Sequence, residues 1–480
     1  MVAAFTSELD RIAPKFEIQG SQIHILRTPS EFYETLKSKI LAAERHIFLS
    51  TLYIGKTEHE FISTLQAALR AKPHLKLSIL TDALRGTRES PDPSCASLLA
   101  PLVAEFGTER VEIRMYHTPN LTGLRKKHIP RRINEGWGLQ HMKLYGVDDE
   151  VIISGANLST DYFTNRQDRY HVFSSKEITE YFFNIHNAVS KLSFLVIPEK
   201  QIPAGYTLDW PSTNLAPSPL SDPTKYITRS TSILAPLVQS ASPDSKSIVS
   251  KGKTNTTVYP LSQLTPLLEP DTSTELPLIQ SILRTLSQPA YNNSSWTFTA
   301  GYFNPHPSLT PLLLSTASSN NTVITASPFA NGFYGSKGVS GLLPAAYTLL
   351  SRRFLEAAAK ANRTNDISLR EWRRGTVGEK DGWTYHAKGM WVSLNGEKEP
   401  SISIVGSSNY TKRSYGLDLE VGTCIVTKDE GLKARLREER DGLQDHARVV
   451  GMDEFVKMER RVGINVRIAM WIVQMVGGAL

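Results

Sequence analysis

Cysteine is nearly absent from this chain: Cys95 and Cys424 are the only two in 480 residues. They lie far apart, and neither has a Cys or His partner at metal-ligand spacing. That excludes a disulfide framework, argues against a metal site and makes a reducing compartment the default. Long apolar runs are missing too, since no stretch reaches the roughly 18–20 apolar residues that a spanning helix needs. The best candidate is the terminal VGINVRIAMWIVQMVGGAL (462–480), whose densest part, Ile468 to Val476, is about half a span. Two readings of it stand open: a helix docked on the core, or one lying in a membrane interface with Trp471 at headgroup level. The first residues, MVAAFTSELDRIAPKF, lack a secretory apolar core and carry Glu8 and Asp10, a poor match to an organelle transit peptide. Either there is no such signal, or the chain begins after it. Acidic charge is in slight deficit, with a net charge of +7 that favours anionic partners such as phosphate esters or acidic membrane surfaces.

Apolar periodicity is plentiful, and it repeats. The first part reads as a helix from Ser30 to His46 capped by Ser30, a strand 47–55, a helix 60–71, a strand 75–82, a helix near 96–105 and a strand 110–116. Strands at 141–147, 150–156 and 169–175 and a helix from Lys176 to about Leu192 close that part. The second part reads as a helix near 275–286, strands at 296–303 and 322–328, and a helix near 342–361. Strands at 384–394, 401–407 and 419–427 and a helix from about Lys428 follow. Strands alternating with helices predict an α/β fold: two similar lobes with mixed sheets flanked by helices, and an active site in the cleft between them. The expected boundaries are 1–200 for the first lobe, 273–460 for the second and 461–480 for the terminal apolar helix. Residues 201–272 are rich in Pro, Ser and Thr between about Pro203 and Asp271. They read as a linker or insertion, partly disordered, because such a composition buries too little apolar surface to offset its ordering entropy.

The chemistry lies in a duplicated set of residues. A lone His-x-Lys is weak, and the one at His74–Lys76 has nothing downstream to support it. His141-Met142-Lys143 is followed by Asp148, by Gly155-Ala156-Asn157 at the end of an apolar strand, and by Asp168 eleven residues beyond Asn157. His386-Ala387-Lys388 is followed by Gly406-Ser407-Ser408-Asn409 at another strand end, and by Glu420 eleven residues beyond Asn409. On a strand, His and Lys two residues apart project from one face. Two such pairs brought together place two imidazoles, two ammonium groups and two amides around one point, which suits a phosphodiester. One neutral His can attack phosphorus and the other can serve the leaving and entering oxygens, with a carboxylate on Nδ1 fixing each tautomer. The scheme requires no metal and no cofactor.

These residues resemble the phospholipase D superfamily, whose signature is H-x-K-x4-D followed by a Gly/Ser–Asn strand end. HMKLYGVD (141–148) matches it fully, whereas HAKGMWVS (386–393) has Ser393 in place of the Asp. The segments YIG (53–55), TDALRGTR (81–88), SGANLSTDYFTNRQDRY (154–170), SPFANGFYGSKG (327–338) and GWTYHAKGMW (382–391) narrow the resemblance to eukaryotic mitochondrial phosphatidylglycerophosphate synthases, in which the second copy also lacks the Asp. That resemblance implies CDP-diacylglycerol and glycerol 3-phosphate as substrates, phosphatidylglycerophosphate and CMP as products, a mitochondrial location, and a place at the first committed step toward cardiolipin. It also implies His141 as nucleophile and His386 as acid, with Glu420 orienting His141 and Asp168 orienting His386. A CDP-diacylglycerol–serine transferase or a phospholipase D shares the same site, and a lipid-binding scaffold with a decayed site is the alternative that is not an enzyme. A nucleic-acid groove is disfavoured, since the basic charge lacks aromatic interleaving. For the substrate phosphates and an anionic peripheral membrane surface, the candidates are Arg85, Arg88, Lys337 beside the glycines of 331–338, and the basic run Arg125, Lys126, Lys127, Arg131 and Arg132. Oligomeric state is not legible.

Overall fold

The computed structural model describes residues 2–131, 133–239 and 254–475. Its strands, in chain order, begin with β1 (Phe16–Ile18), β2 (Ile23–Leu26), β3 (His46–Ser50), β4 (Lys76–Asp82), β5 (Val111–Tyr116) and β6 (Leu144–Val147). Next come β7 (Glu150–Ser154), β8 (Arg166–Gln167), β9 (Tyr170–Ser174), β10 (Phe194–Pro198), β11 (Tyr206–Asp209), β12 (Thr256–Gln263) and β13 (Ser295–Ala300). The remainder are β14 (Asn321–Ala326), β15 (Ile367–Trp372), β16 (Thr384–Tyr385), β17 (Lys388–Ser393), β18 (Ile402–Gly406), β19 (Glu420–Thr427) and β20 (Ala447–Val449).

Two nine-stranded mixed sheets result, one ordered β11-β10-β5-β4-β3-β6-β7-β9-β2 and the other β1-β12-β19-β18-β17-β13-β14-β15-β20. They are two copies of one plan. In each, three parallel strands (β3-β4-β5; β13-β14-β15) continue into an antiparallel run (β6-β7-β9; β17-β18-β19). Helices cover the faces, so the central strands are buried on both sides and read as unbroken apolar runs. The helix Lys176–Ser190 is typical. Its N-cap Ser175 accepts from the Ile178 amide, and Ile178, Phe182, Ile185 and Val189 form one buried stripe. That stripe belongs to a core shared by both sheets, which also contains Leu144 and Ile153 from the first and Trp391 and Val421 from the second.

Several expectations are corrected. Thr28, not Ser30, caps the first long helix, which runs Pro29–Ala42. The predicted strand 47–55 stops at Ser50, and the predicted strand 384–394 is broken at His386 and Ala387. The span read as a linker holds β11, a helix Pro223–Val238 and β12; only 240–253 lie outside the described residues. The Pro and Ser of that helix mask an apolar stripe that buries Tyr226, Leu234 and Val238. β12 lies beside β19, with Gln263 opposite Glu420, so this span contributes to the floor of the second sheet. The first eighteen residues do not join the first sheet. β1 pairs with β12, and Phe5 and Leu9 enter the second sheet's core. In the terminal helix Ile464–Met475, Val466 and Met470 are buried against Ala346 and Leu349, while Ile464, Ile468 and Trp471 are exposed. The helix thus docks on the core by one face and leaves an apolar one open; Val476 lies outside the described residues.

One buried ionic node ties the sheets together. Arg169, directly after Asp168, donates from Nε and Nη2 to the Glu439 carboxylate at 2.9 and 2.8 Å. Its Nη1 donates to the Ile404 carbonyl at 2.6 Å, and its guanidinium lies 3.8 Å from the Trp391 ring centre. Glycine is required at 389, where φ is +145° and a Cβ would fall 1.8 Å from Arg169 Nη1. Glu439 also accepts from His171 Nε2 and Trp391 Nε1, so its carboxyl is held far below the usual range despite burial. Replacing Arg169 with Met strands that carboxylate in the core. Urea unfolding should show a loss of about 3–5 kcal/mol, and a loss below about 1 kcal/mol would mean that the node contributes little to holding the sheets together.

Candidate active site

The two His-x-Lys segments meet where the sheets abut, and the backbone dictates how. Leu139 and His141 form a short parallel ladder with the other sheet's lead-in to Glu420: the His141 amide donates to the Leu419 carbonyl (2.9 Å) and the Leu419 amide to the Leu139 carbonyl (2.8 Å). The same arrangement recurs on the other side. β16 pairs in parallel with β8, the His386 amide donates to the Gln167 carbonyl (2.8 Å), and Asp168 follows. Each histidine therefore precedes its strand proper and is registered against the acid of the opposite sheet. Asp82 fixes the first segment further. Its carboxylate caps the turn 83–86 through the Arg85 amide and accepts the Gln140 amide, both at 2.9 Å.

The side chains follow this crossing. His141 Nδ1 lies 2.8 and 3.0 Å from the Glu420 oxygens, and His386 Nδ1 lies 2.7 Å from Asp168 Oδ2. Ser407 donates to Glu420 Oε2 at 2.5 Å. Lys143 donates to the His141 carbonyl (2.7 Å) and Lys388 to the His386 carbonyl (3.0 Å). Lys388 Nζ also approaches both nitrogens of the His386 ring, at 2.6 and 3.0 Å. Since Nδ1–H is given to Asp168, Nε2 is the only one of the two able to accept. Asn157 donates to the Tyr162 hydroxyl (3.1 Å), which stands 3.4 Å from His386 Nε2; Asn409 occupies the matching strand end with its Oδ1 buried and unpartnered. Gly155 makes this convergence possible, because a Cβ there would lie 2.8 Å from both Asp168 Oδ1 and Lys388 Nζ.

The two histidines are not equivalent. His386 Nε2 is engaged by Lys388 and Tyr162, whereas His141 Nε2 has no hydrogen bond among the described residues. Burial, then the adjacent Lys143, pushes His141 well below its ordinary value; burial, then Lys388, does the same to His386. Burial also lowers Lys143 strongly, lowers Lys388 to about 8, raises Asp168 and raises Glu420 to about 7. Both imidazoles are therefore neutral at rest. The cluster is a desolvated set of potential cations that an entering anion would stabilise.

Asp148 lies elsewhere. It sits at the far end of β6 from Lys143, at φ +50°, and accepts the amides of Glu44, Arg45 and His46 at 2.8, 2.8 and 3.1 Å. It supports the approach to β3 and touches none of the reacting groups. In the second copy the longer turn 395–400 is anchored on the segment before β13. The Asn395 amide reaches Ser294 Oγ, the Gly396 amide reaches the Asn293 carbonyl, and Ser393 hydrogen-bonds the Lys398 carbonyl, so no carboxylate is needed there.

The expected phosphate contacts are scattered. Arg85 and Arg88 both pair with Glu135, Arg85 at 3.6 Å and also over the Tyr53 ring. Arg125, Lys126 and Lys127 are exposed on the short helix Gly123–His128, Arg131 donates to the Ser90 carbonyl at 2.5 Å, and Arg132 lies outside the described residues. Lys337 is exposed and makes no contact among the described residues. The sequence reading passed over Ser407, Tyr162, Tyr302, Asp82 and two ion pairs, Asp161–Arg166 (2.8 Å) and Arg413–Asp418 (3.0 Å). Those pairs were accessible in principle, since each begins four residues beyond its Asn.

Known proteins give this geometry a context. No family model matches the sequence. The CDP-diacylglycerol–glycerol-3-phosphate 3-phosphatidyltransferase of Saccharomyces cerevisiae is 45% identical over 95% of this chain and 88% of its own length. That of Schizosaccharomyces pombe is 41% identical over 94% of each. The human protein of that name, designated mitochondrial, is 33% identical over 95% of this chain and 83% of its own length. Among solved structures, phosphatidylserine synthase of Haemophilus influenzae superposes with a TM-score of 0.74 over 99% of this chain and 98% of its own, at 20% identity, a likeness of fold. On the strength of these relatives, the chain belongs to the CDP-diacylglycerol–glycerol-3-phosphate 3-phosphatidyltransferase family and carries the phospholipase D fold that its paired motifs announce.

Proposed function

We propose that this chain transfers the phosphatidyl group of CDP-diacylglycerol to glycerol 3-phosphate by two displacements at phosphorus, on the two histidines of the crossed site. The product is phosphatidylglycerophosphate, and CMP is released. The observation that carries the mechanism is the crossed pairing, in which each Nδ1 is committed to a carboxylate of the other sheet, so that Nε2 is the nitrogen of each ring assigned to the chemistry.

His141, with its free Nε2 lone pair, attacks the phosphatidyl phosphorus. The P–N bond forms as the bond to the CMP oxygen breaks, and CMP leaves with the electron pair. Because a phosphate monoester has a second pKa of about 6, this leaving group needs little protonation. An alcohol attacking in the second step does need a base, and neutral His386 fills that role. Its Nε2 takes the glycerol hydroxyl proton, the oxygen attacks phosphorus, and the P–N electrons return to His141. Lys143, Lys388 and the two Asn amides neutralise the non-bridging oxygens where charge gathers.

The lipid donor requires contact with a membrane. Among the described residues no helix is long and apolar enough to cross one. Ile464, Ile468 and Trp471, at i, i+4 and i+7, present an exposed apolar face beside Arg467, and Leu124 is exposed beside Arg125, Lys126 and Lys127. We assign these surfaces to peripheral docking on anionic lipid. The chicken and human relatives are named mitochondrial, which supports a mitochondrial location for this chain; association with the inner membrane is part of the proposal.

Three tests follow from this reading. His141→Asn and His386→Asn should each lower CMP release at least about 10³-fold. A donor labelled at the phosphatidyl phosphorus should leave acid-labile, base-stable label on the wild type and none on His141→Asn. Label persisting on that variant removes His141 as nucleophile, and CMP release that requires serine in place of glycerol 3-phosphate overturns the transferase assignment.

The pH profile tests Glu420. Burial keeps its proton on up to about 7 instead of the usual carboxylic range, and the protonated acid no longer accepts His141 Nδ1–H. The rate should therefore fall as pH drops through neutrality, as an apparent value of the His141–Glu420 pair. Glu420→Gln should be slow and lack that limb; an acid limb near 4.5 in the wild type excludes the proposed role.

Membrane docking is tested on liposomes. Replacing Arg125, Lys126 and Lys127 with Ala should cost about 1 kcal/mol each on anionic vesicles, fading at high salt. Binding that ignores salt leaves that segment without a membrane role.

A further inference from the structure

Counted from the strand-end Asn of each copy, positions four and nine hold an ion pair, and the two copies carry it in opposite senses. The first has Asp161 then Arg166 (2.8 Å); the second has Arg413 then Asp418 (3.0 Å). The duplicated site is thereby polarised. A cation stands two residues before the acid on the His386 side, and an anion stands at the matching place on the His141 side. Duplication alone gives no reason for the reversal, whereas two chemically different ligands do.

The surroundings of Arg166 identify the ligand. Its guanidinium lies 4.5 Å from the centre of the Tyr162 ring, and that ring meets His386 edge-on at 5.2 Å. The Tyr302 ring also meets His386 edge-on, at 5.6 Å. Arg166 Nε donates to Thr384 Oγ1 at 3.0 Å and Nη2 is held by Asp161, while Nη1 has no hydrogen bond among the described residues. At Gly332 a Cβ would lie 2.8 Å from the Tyr302 hydroxyl and 3.1 Å from Arg166 Nη2, so the missing side chain keeps open a small space lined by both donors. The Arg166 side chain is only 15% exposed, a desolvated cation with one unused edge.

We propose that Arg166, with the Tyr302 hydroxyl across the gap kept by Gly332, binds the phosphate of the acceptor glycerol 3-phosphate and so determines acceptor specificity. This rests on the transferase reading above. The hydroxyl that reacts must reach His386 Nε2, and the acceptor's phosphate lies a three-carbon spacer away from it. Arg166 is set back from His386 by one aromatic ring, which suits that spacer. The donor's second phosphorus is separated from the first by a single oxygen. It must lie within the Lys and Asn cluster itself, too close in to be the ligand of Arg166. Glycerol and water carry no anionic group for this cation, and serine offers only a carboxylate, held two carbons from its hydroxyl.

The test is steady-state CMP release from CDP-diacylglycerol vesicles by the full chain, varying donor and acceptor separately. Arg166→Gln should raise KM for glycerol 3-phosphate at least tenfold while KM for the donor moves less than twofold. The preference for glycerol 3-phosphate over glycerol should shrink by the same factor, and Arg166→Lys should fall between the two. Asp161→Asn, which frees the guanidinium from its partner, should give a KM for glycerol 3-phosphate no higher than wild type, and this reading stands even if Arg166→Gln fails to fold. An unchanged acceptor KM in Arg166→Gln, an equal rise for the donor, or a tenfold rise in Asp161→Asn each overturns the proposal. Wild-type CMP release that ignores glycerol 3-phosphate would instead sink the transferase reading beneath it.

Discussion

Everything in the site depends on two short parallel ladders that cross from one sheet to the other. Backbone hydrogen bonds from residues 139 and 141 to Leu419, and between 384–386 and 165–167, set each histidine beside a carboxylate from the opposite half. A backbone ladder fixes register to a fraction of a residue, a precision that long side chains reaching from separate loops would lack. The close glycines serve the same end. Gly155 admits Lys388 and Asp168, Gly389 admits Arg169, and the two sheets approach closely enough for one catalytic group to span them.

Within that symmetric frame the copies have diverged where their tasks differ. One turn uses Asp148 to gather the three amides of residues 44–46, and the other, longer turn gives its own amides to Ser294 and Asn293. One imidazole has a free Nε2 and the other is held by Tyr162 and Lys388. The ion pairs beside them point in opposite senses. A shared backbone plan thus supports an unequal pair, as the proposed displacement with one nucleophile and one base requires.

Much of this was legible in the sequence, for an identifiable reason. Central strands buried on both faces leave apolar runs, and repeated catalytic residues leave repeated spacings, so His141, Asn157, Asp168 and their counterparts could be aligned without a structure. What escaped was set by partners distant in the chain. Pro- and Ser-rich stretches around Tyr226 and Val258 looked unable to fold, yet their apolar residues are buried against the two sheets. Nothing local marks Arg169 as the centre of a node completed at Glu439, or ties residues 16–18 to β12. His141 and His386 were expected within strands, but each precedes one, because its register is set by the other sheet and not by its own.

The crossed pairing also bears on the order in which the chain becomes active. The two carboxylate–imidazole contacts join residues 218 and 279 positions apart, among the longest loop closures in the fold. The two sheets share a core, and a chain with one sheet formed has a histidine without its acid. The contacts at the heart of the proposed site therefore form only when both sheets have joined, so the assembled site is itself a mark of the completed fold.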